Sequence, residues 1–86
     1  MNIQFYPMMG RSDLALEPAD KKNRGYIFEF KMAKDEEEME EKAEQALAQI
    51  EEKKYPVMLK KRGVTEITCI GMAFCGKKVK VEHKIM

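Results

Sequence analysis

Apolar and polar positions along the chain follow two different periods. Residues 26–31 (Tyr-Ile-Phe-Glu-Phe-Lys) are aromatic and β-branched and predict a strand. Residues 12–17 predict a shorter strand before it, and Pro18 to Gly25 between the two is turn chemistry. From Asp35 to about Lys54 the period changes. Met39, Ala43, Ala46, Leu47 and Ile50 mark one face of an amphipathic helix, with Asp35 as its N-cap. Pro56 permits a second, short helix that ends at Gly63. Residues 64–74 are apolar on both faces from Ile67 onward, as in a central strand. Gly76 turns the chain, and residues 77–84 alternate as a half-exposed edge strand.

This order predicts an α/β domain with a mixed sheet. The strands at 26–31 and 67–74 flank a crossover helix, so they should run parallel. The outer strands close hairpins and should run antiparallel. No repeat or linker divides the chain, so residues 1–86 read as one domain. One sheet face receives the helix and the other has no evident cover. Such a domain is expected to gain a partner, and a two-fold dimer is the simplest form.

Length and charge refine this picture. A chain of 86 residues buries only about 60–65% of its unfolded surface, so its core is thin. The net charge of +1 conceals a segregation: +2 over residues 1–34, −8 over 35–52 and +7 over 53–86. The acidic block suits a helix start. The basic tail suits either a phosphate-facing surface, with Lys60 and Lys61 as contacts, or lysines that protect a strand edge. No apolar run spans a bilayer and the first residues do not form a signal peptide, so the expected location is the cytoplasm and no membrane contact is expected. Cys69 and Cys75 sit too far apart along one strand to bridge, and His83 lacks a spaced partner for a zinc site.

Chemistry concentrates on the first hairpin. Strand parity sends Tyr26, Phe28 and Phe30 to one face and Ile27, Glu29 and Lys31 to the other. With the loop at 18–24, Glu17 faces Gly25 and Asp13 faces Glu29. Opposed carboxylates about 5 Å apart repel unless a cation stands between them. Lys31 would then stand beside that cation, an arrangement suited to phosphodiester hydrolysis. An ordinary polar sheet face with a Glu–Lys pair fits the same pattern.

The wider arrangement resembles the PD-(D/E)xK nuclease superfamily. More closely, it resembles the nuclease-like module at the C-terminus of a group of bacterial AAA-ATPase-like proteins. The resemblance runs from Gly10-Arg11-Ser12-Asp13 through Ile27-Phe28-Glu29-Phe30-Lys31 and Ala46-Leu47-Ala48-Gln49-Ile50 with Lys54-Tyr55. It continues to Ile70-Gly71-Met72-Ala73-Phe74 and Gly76-Lys77-Lys78-Val79. It implies a restriction-endonuclease-like core and a Mg²⁺- or Mn²⁺-dependent nuclease acting on DNA. Asp13, Glu29 and the Phe30 carbonyl would be the metal ligands, Lys31 the catalytic lysine and Gln49 the helix glutamine beside it. Arg11 and Tyr55 would join Lys60 and Lys61 on the nucleic-acid side. The superfamily core opens with a helix, which the nine residues before Gly10 do not supply, so the domain reads as incomplete. An ATPase domain is an implied partner, and a non-catalytic interaction module or inactive remnant is the competing reading.

Overall fold

The computed structural model describes residues 4–7 and 13–86. The element order is β1 (Phe5–Pro7), β2 (Leu14–Pro18), β3 (Gly25–Met32), α1 (Glu36–Glu52), α2 (Tyr55–Lys61), β4 (Ile67–Cys75) and β5 (Lys78–Ile85). The strands form one sheet in the order β1-β2-β3-β4-β5. The β3–β4 pair is parallel and the other three pairs are antiparallel. This is the mixed α/β sheet with a crossover helix that the periodicity predicts, and it is consistent with a restriction-endonuclease-like fold. Among the described residues no helix is long and apolar enough to cross a membrane.

Local chemistry accounts for the element ends. The Asp35 side chain accepts from the Glu38 N–H at 2.9 Å and caps α1. Three glutamates fill the first helical turn, where the helix dipole favours negative charge. Lys54 adopts a left-handed conformation (φ 60°) and breaks α1 from α2, and Pro56 opens the second helix. Strand β1 has no counterpart in the sequence reading. It is three residues long, includes Pro7, and is set by its partner: Phe5 lies opposite Pro18 and Tyr6 opposite Glu17. Nothing local in so short a segment predicts a strand.

Strand alternation divides the sheet into two unlike faces. Ala15, Ile27, Ile67, Cys69 and Ala73 point toward the helices and are buried against Met39, Ala43, Ile50, Tyr55 and Leu59. Gly71 lies on that face where α1 crosses β4. A Cβ there would come within 2.4 Å of the Ala43 carbonyl and 2.6 Å of the Leu47 nitrogen, so the absence of a side chain sets how closely the helix seats. The second face carries Tyr26, Phe28, Phe30 and Met32 from β3, and Ile70, Met72 and Phe74 from β4. No described element covers it.

The segregated charges find each other within the chain. Glu36 and Glu51 of α1 pair with Lys78 and Lys84 of β5, the second at 2.8 Å. Two of the tail's lysines are therefore engaged by the acidic helix. On β2, buried Glu17 accepts from Arg62 at 2.7 Å and from Lys21. The Arg62 guanidinium, and then the Lys21 ammonium, hold its carboxyl down at about 2.

Candidate functional site

The β2–β3 ladder pairs Leu14 with Phe28, Ala15 with Ile27 and Leu16 with Tyr26. One step beyond, Asp13 comes opposite Glu29, the register that counting from the loop predicts. Asp13 stands just outside the strand, and its Oδ2 accepts from the Phe30 N–H at 2.7 Å. Gly25 and Ala33 of the same run donate to Glu66 and Phe74 on the β4 side. Alternation therefore turns the Phe30 N–H and carbonyl toward β2 and Asp13. The Phe30 carbonyl thus emerges beside the Asp13 carboxylate, beyond the last rung of the ladder.

Glu29 lies on the helix side of β3 and is 5% exposed. Its Oε1 accepts from Lys53 Nζ at 2.7 Å. Gln49 bridges two of the catalytic candidates. With the amide oriented to satisfy both neighbours, its nitrogen donates to Glu29 Oε1 at 3.3 Å and its oxygen accepts from Lys31 Nζ at 3.0 Å. Glu29 Oε2 is buried and has no hydrogen-bond partner among the described residues. The close seating of α1 over Gly71, which pairs with Glu29 across the parallel ladder, brings Gln49 and Lys53 to this carboxylate.

The structure therefore brings Glu29, Lys31 and Gln49 together, with Asp13 and the Phe30 carbonyl at the adjoining strand edge. It does not bring the nucleic-acid candidates there. Tyr55 is 3% exposed and packs in the core against the sheet, so the expectation that it contacts a duplex is corrected to a packing role. Lys60 and Lys61 are exposed on α2. Leu59 of that helix packs beside Gly25, six residues or about 20 Å along β3 from Lys31. Arg11 lies outside the described residues.

Lys53 is the residue the sequence reading missed as part of the site. It follows Gln49 by four positions and so shares its helix face, which is the signal that marks it. A separate carboxylate group, Glu40, Glu44 and Glu82, gathers between α1 and β5, with the first two exposed and Glu82 half-buried. It contains none of the hairpin residues.

A family model described as the PD-(D/E)XK nuclease superfamily matches residues 6–84. No curated protein and no solved structure matches the chain.

Proposed function

The chain belongs to the PD-(D/E)XK nuclease superfamily, whose members typically use divalent metal ions, and from that premise we propose a Mg²⁺- or Mn²⁺-dependent phosphodiesterase that acts on DNA. The observation that carries this reading is the orphaned Glu29 Oε2. A buried acceptor left unsatisfied costs about 1–3 kcal/mol, and more when charged, so a ligand that satisfies it is favoured there. Asp13 and the Phe30 carbonyl add oxygen donors of the kind hard cations take. These three groups fit the ion and would hold it. When bound, a divalent ion polarises the phosphodiester and activates water for attack on phosphorus.

The remaining residues work on the substrate. Gln49 is a positioning residue that holds the Lys31 ammonium beside Glu29. Lys31 offsets the negative charge that builds on the phosphoryl oxygens while the ester P–O bond breaks. Holding that charge in advance avoids reorganisation at the moment of reaction.

The test is cleavage of plasmid DNA with Mg²⁺ or Mn²⁺, alongside calorimetric titration with Mn²⁺. The wild type should cleave only with metal. Lys31→Ala should retain Mn²⁺ binding and lose cleavage, and Glu29→Gln should lose both. Because Glu40, Glu44 and Glu82 can also attract cations, the hairpin site is read as the heat lost in Glu29→Gln. Metal-independent cleavage, or equal cleavage by the wild type and Lys31→Ala, overturns the proposal. Absence of both cleavage and a Glu29-dependent heat leaves the interaction module, which the uncovered sheet face favours.

A further inference from the structure

The sheet face turned away from the helices is largely apolar, with Thr68 of β4 and His83 of β5 as polar members. Alternation places Phe28 and Phe30 of β3, Met72 and Phe74 of β4, and Val79 and Val81 of β5 on it. Phe30 packs between Phe28 and Phe74, with ring centroids 6.2 and 6.0 Å away, so the aromatic side chains form a continuous row. Phe30 remains 40% exposed, Met32 72% and Val81 45%, although each sits on a regular strand.

We propose that this face binds a second copy of the chain, so that two sheets pack face to face with the helices outside. Charge is the first argument. Among the described strand residues, this face has no Lys, Arg, Asp or Glu; the strand lysines and glutamates all project to the helix side. Arg24, which donates to Thr68 Oγ1 at 3.2 Å at one end of this face, is paired with Glu66, so the apolar remainder offers little to a phosphate backbone or an anionic lipid surface. Two such faces meet with no like charges opposed, the self-complementarity that a two-fold interface requires.

Size is the second argument. At about 4.8 Å between strands and 3.3 Å per residue, the strands cover roughly 500 Å² in projection, and accessible area over standing side chains exceeds projected area. That approaches the roughly 800 Å² per partner of a standard interface and already reaches the upper range for the largest patch on a monomer, about 300–600 Å². Shape agrees: sheets of similar twist stack about 10 Å apart with interleaved side chains. Glu29, Lys31 and Gln49 lie on the opposite side and are not covered by this dimer, so the proposal is independent of the nuclease reading.

Light scattering after size exclusion, and sedimentation equilibrium, should give twice the 10.0 kDa chain mass for the wild type at tens of micromolar. Val81→Glu places a carboxylate from each copy in the interface and should weaken the dimer by at least about 100-fold, since opposed like charges cost several kcal/mol. Its circular dichroism should match the wild type, because Val81 is already half exposed. Should Val81→Glu fail to fold, Val79→Glu serves in its place. A wild type that stays monomeric to 200 µM overturns the proposal. So does a dimer that survives a folded Val81→Glu, which would place the contact at the β5 edge, or a monomer that sediments with phosphatidylcholine vesicles.

Discussion

Lys53 Nζ lies 2.7 Å from Glu29 Oε1, so the carboxylate proposed to bind metal already carries an ammonium partner. The two roles compete for the same charge. Lys53→Met should therefore tighten Mn²⁺ binding by roughly tenfold, since a cation close to the ion costs more than that at an effective dielectric near 20. In metal-free protein the same change leaves Glu29 buried without this partner. Breaking a fully buried pair costs about 3–5 kcal/mol, and with the Lys53 side chain 26% exposed about 2 kcal/mol is expected. Calorimetry and urea unfolding, each with and without Mn²⁺, check both signs.

Gly71→Ala should act on the same carboxylate from the other side. A methyl group cannot coexist with helix backbone atoms at 2.4 and 2.6 Å, and neither is the end of a flexible side chain. The helix must lift from β4, which costs at least about 1–3 kcal/mol as overpacking. Gln49 and Lys53 move with it, so Mn²⁺ affinity should change alongside the unfolding midpoint. Gly76→Ala, where a Cβ meets nothing within 4 Å, is the control. It should lose only the cost of its positive φ of 59°, about 1 kcal/mol.

These two residues mark what periodicity conveys and what it does not. Period two in β3 and the loop length put Asp13 opposite Glu29, because strand register follows from counting. Period 3.6 in α1 marked Met39, Ala43, Ala46, Leu47 and Ile50, and all are buried except the half-buried Leu47. Lys53 escaped because its role depends on how deeply α1 seats on the sheet, which Gly71 decides from 18 residues further along the chain. Strand β1 escaped because pairing with β2, and no local preference, makes it a strand. The charge blocks were visible, but their pairing of Lys78 with Glu36 and Lys84 with Glu51 needed the position of β5 beside α1.

Glu17 should make stability fall in acid. Its folded carboxyl is held at about 2, below the usual 4.5, by Arg62 and then Lys21. A depressed carboxyl stabilises fully above its unfolded value and loses that contribution as pH falls from about 4.5 toward 2. Arg62 and Lys21 are 57% and 41% exposed, so solvent screening limits the effect to on the order of 2 kcal/mol. Urea unfolding at pH 6 and pH 3 measures it. Glu17→Gln should lower stability at pH 6 and shrink the difference between the two pH values.

Lys60 and Lys61 provide the last test, of how the chain meets a duplex. Other basic groups of the C-terminal third are committed within the fold: Lys53 to Glu29, Arg62 to Glu17, and Lys78 and Lys84 to α1. Lys60 and Lys61 are exposed on α2, at the end of β3 away from Lys31. Phosphates contacted there would lie about 20 Å from the reacting one, or several base pairs along a duplex. Changing both residues to Glu should weaken duplex binding by about 10–100-fold at low salt and lower the salt slope by about two, one counterion per lysine. The Glu29-dependent Mn²⁺ heat should not change, because neither residue reaches that carboxylate. Fluorescence anisotropy with a labelled duplex at 50 and 200 mM salt measures both quantities. Equal binding by wild type and double variant, with equal slopes, would remove α2 from the nucleic-acid surface and leave Lys77 in the β4–β5 turn and Lys80 on β5, both exposed, as the next cations to test.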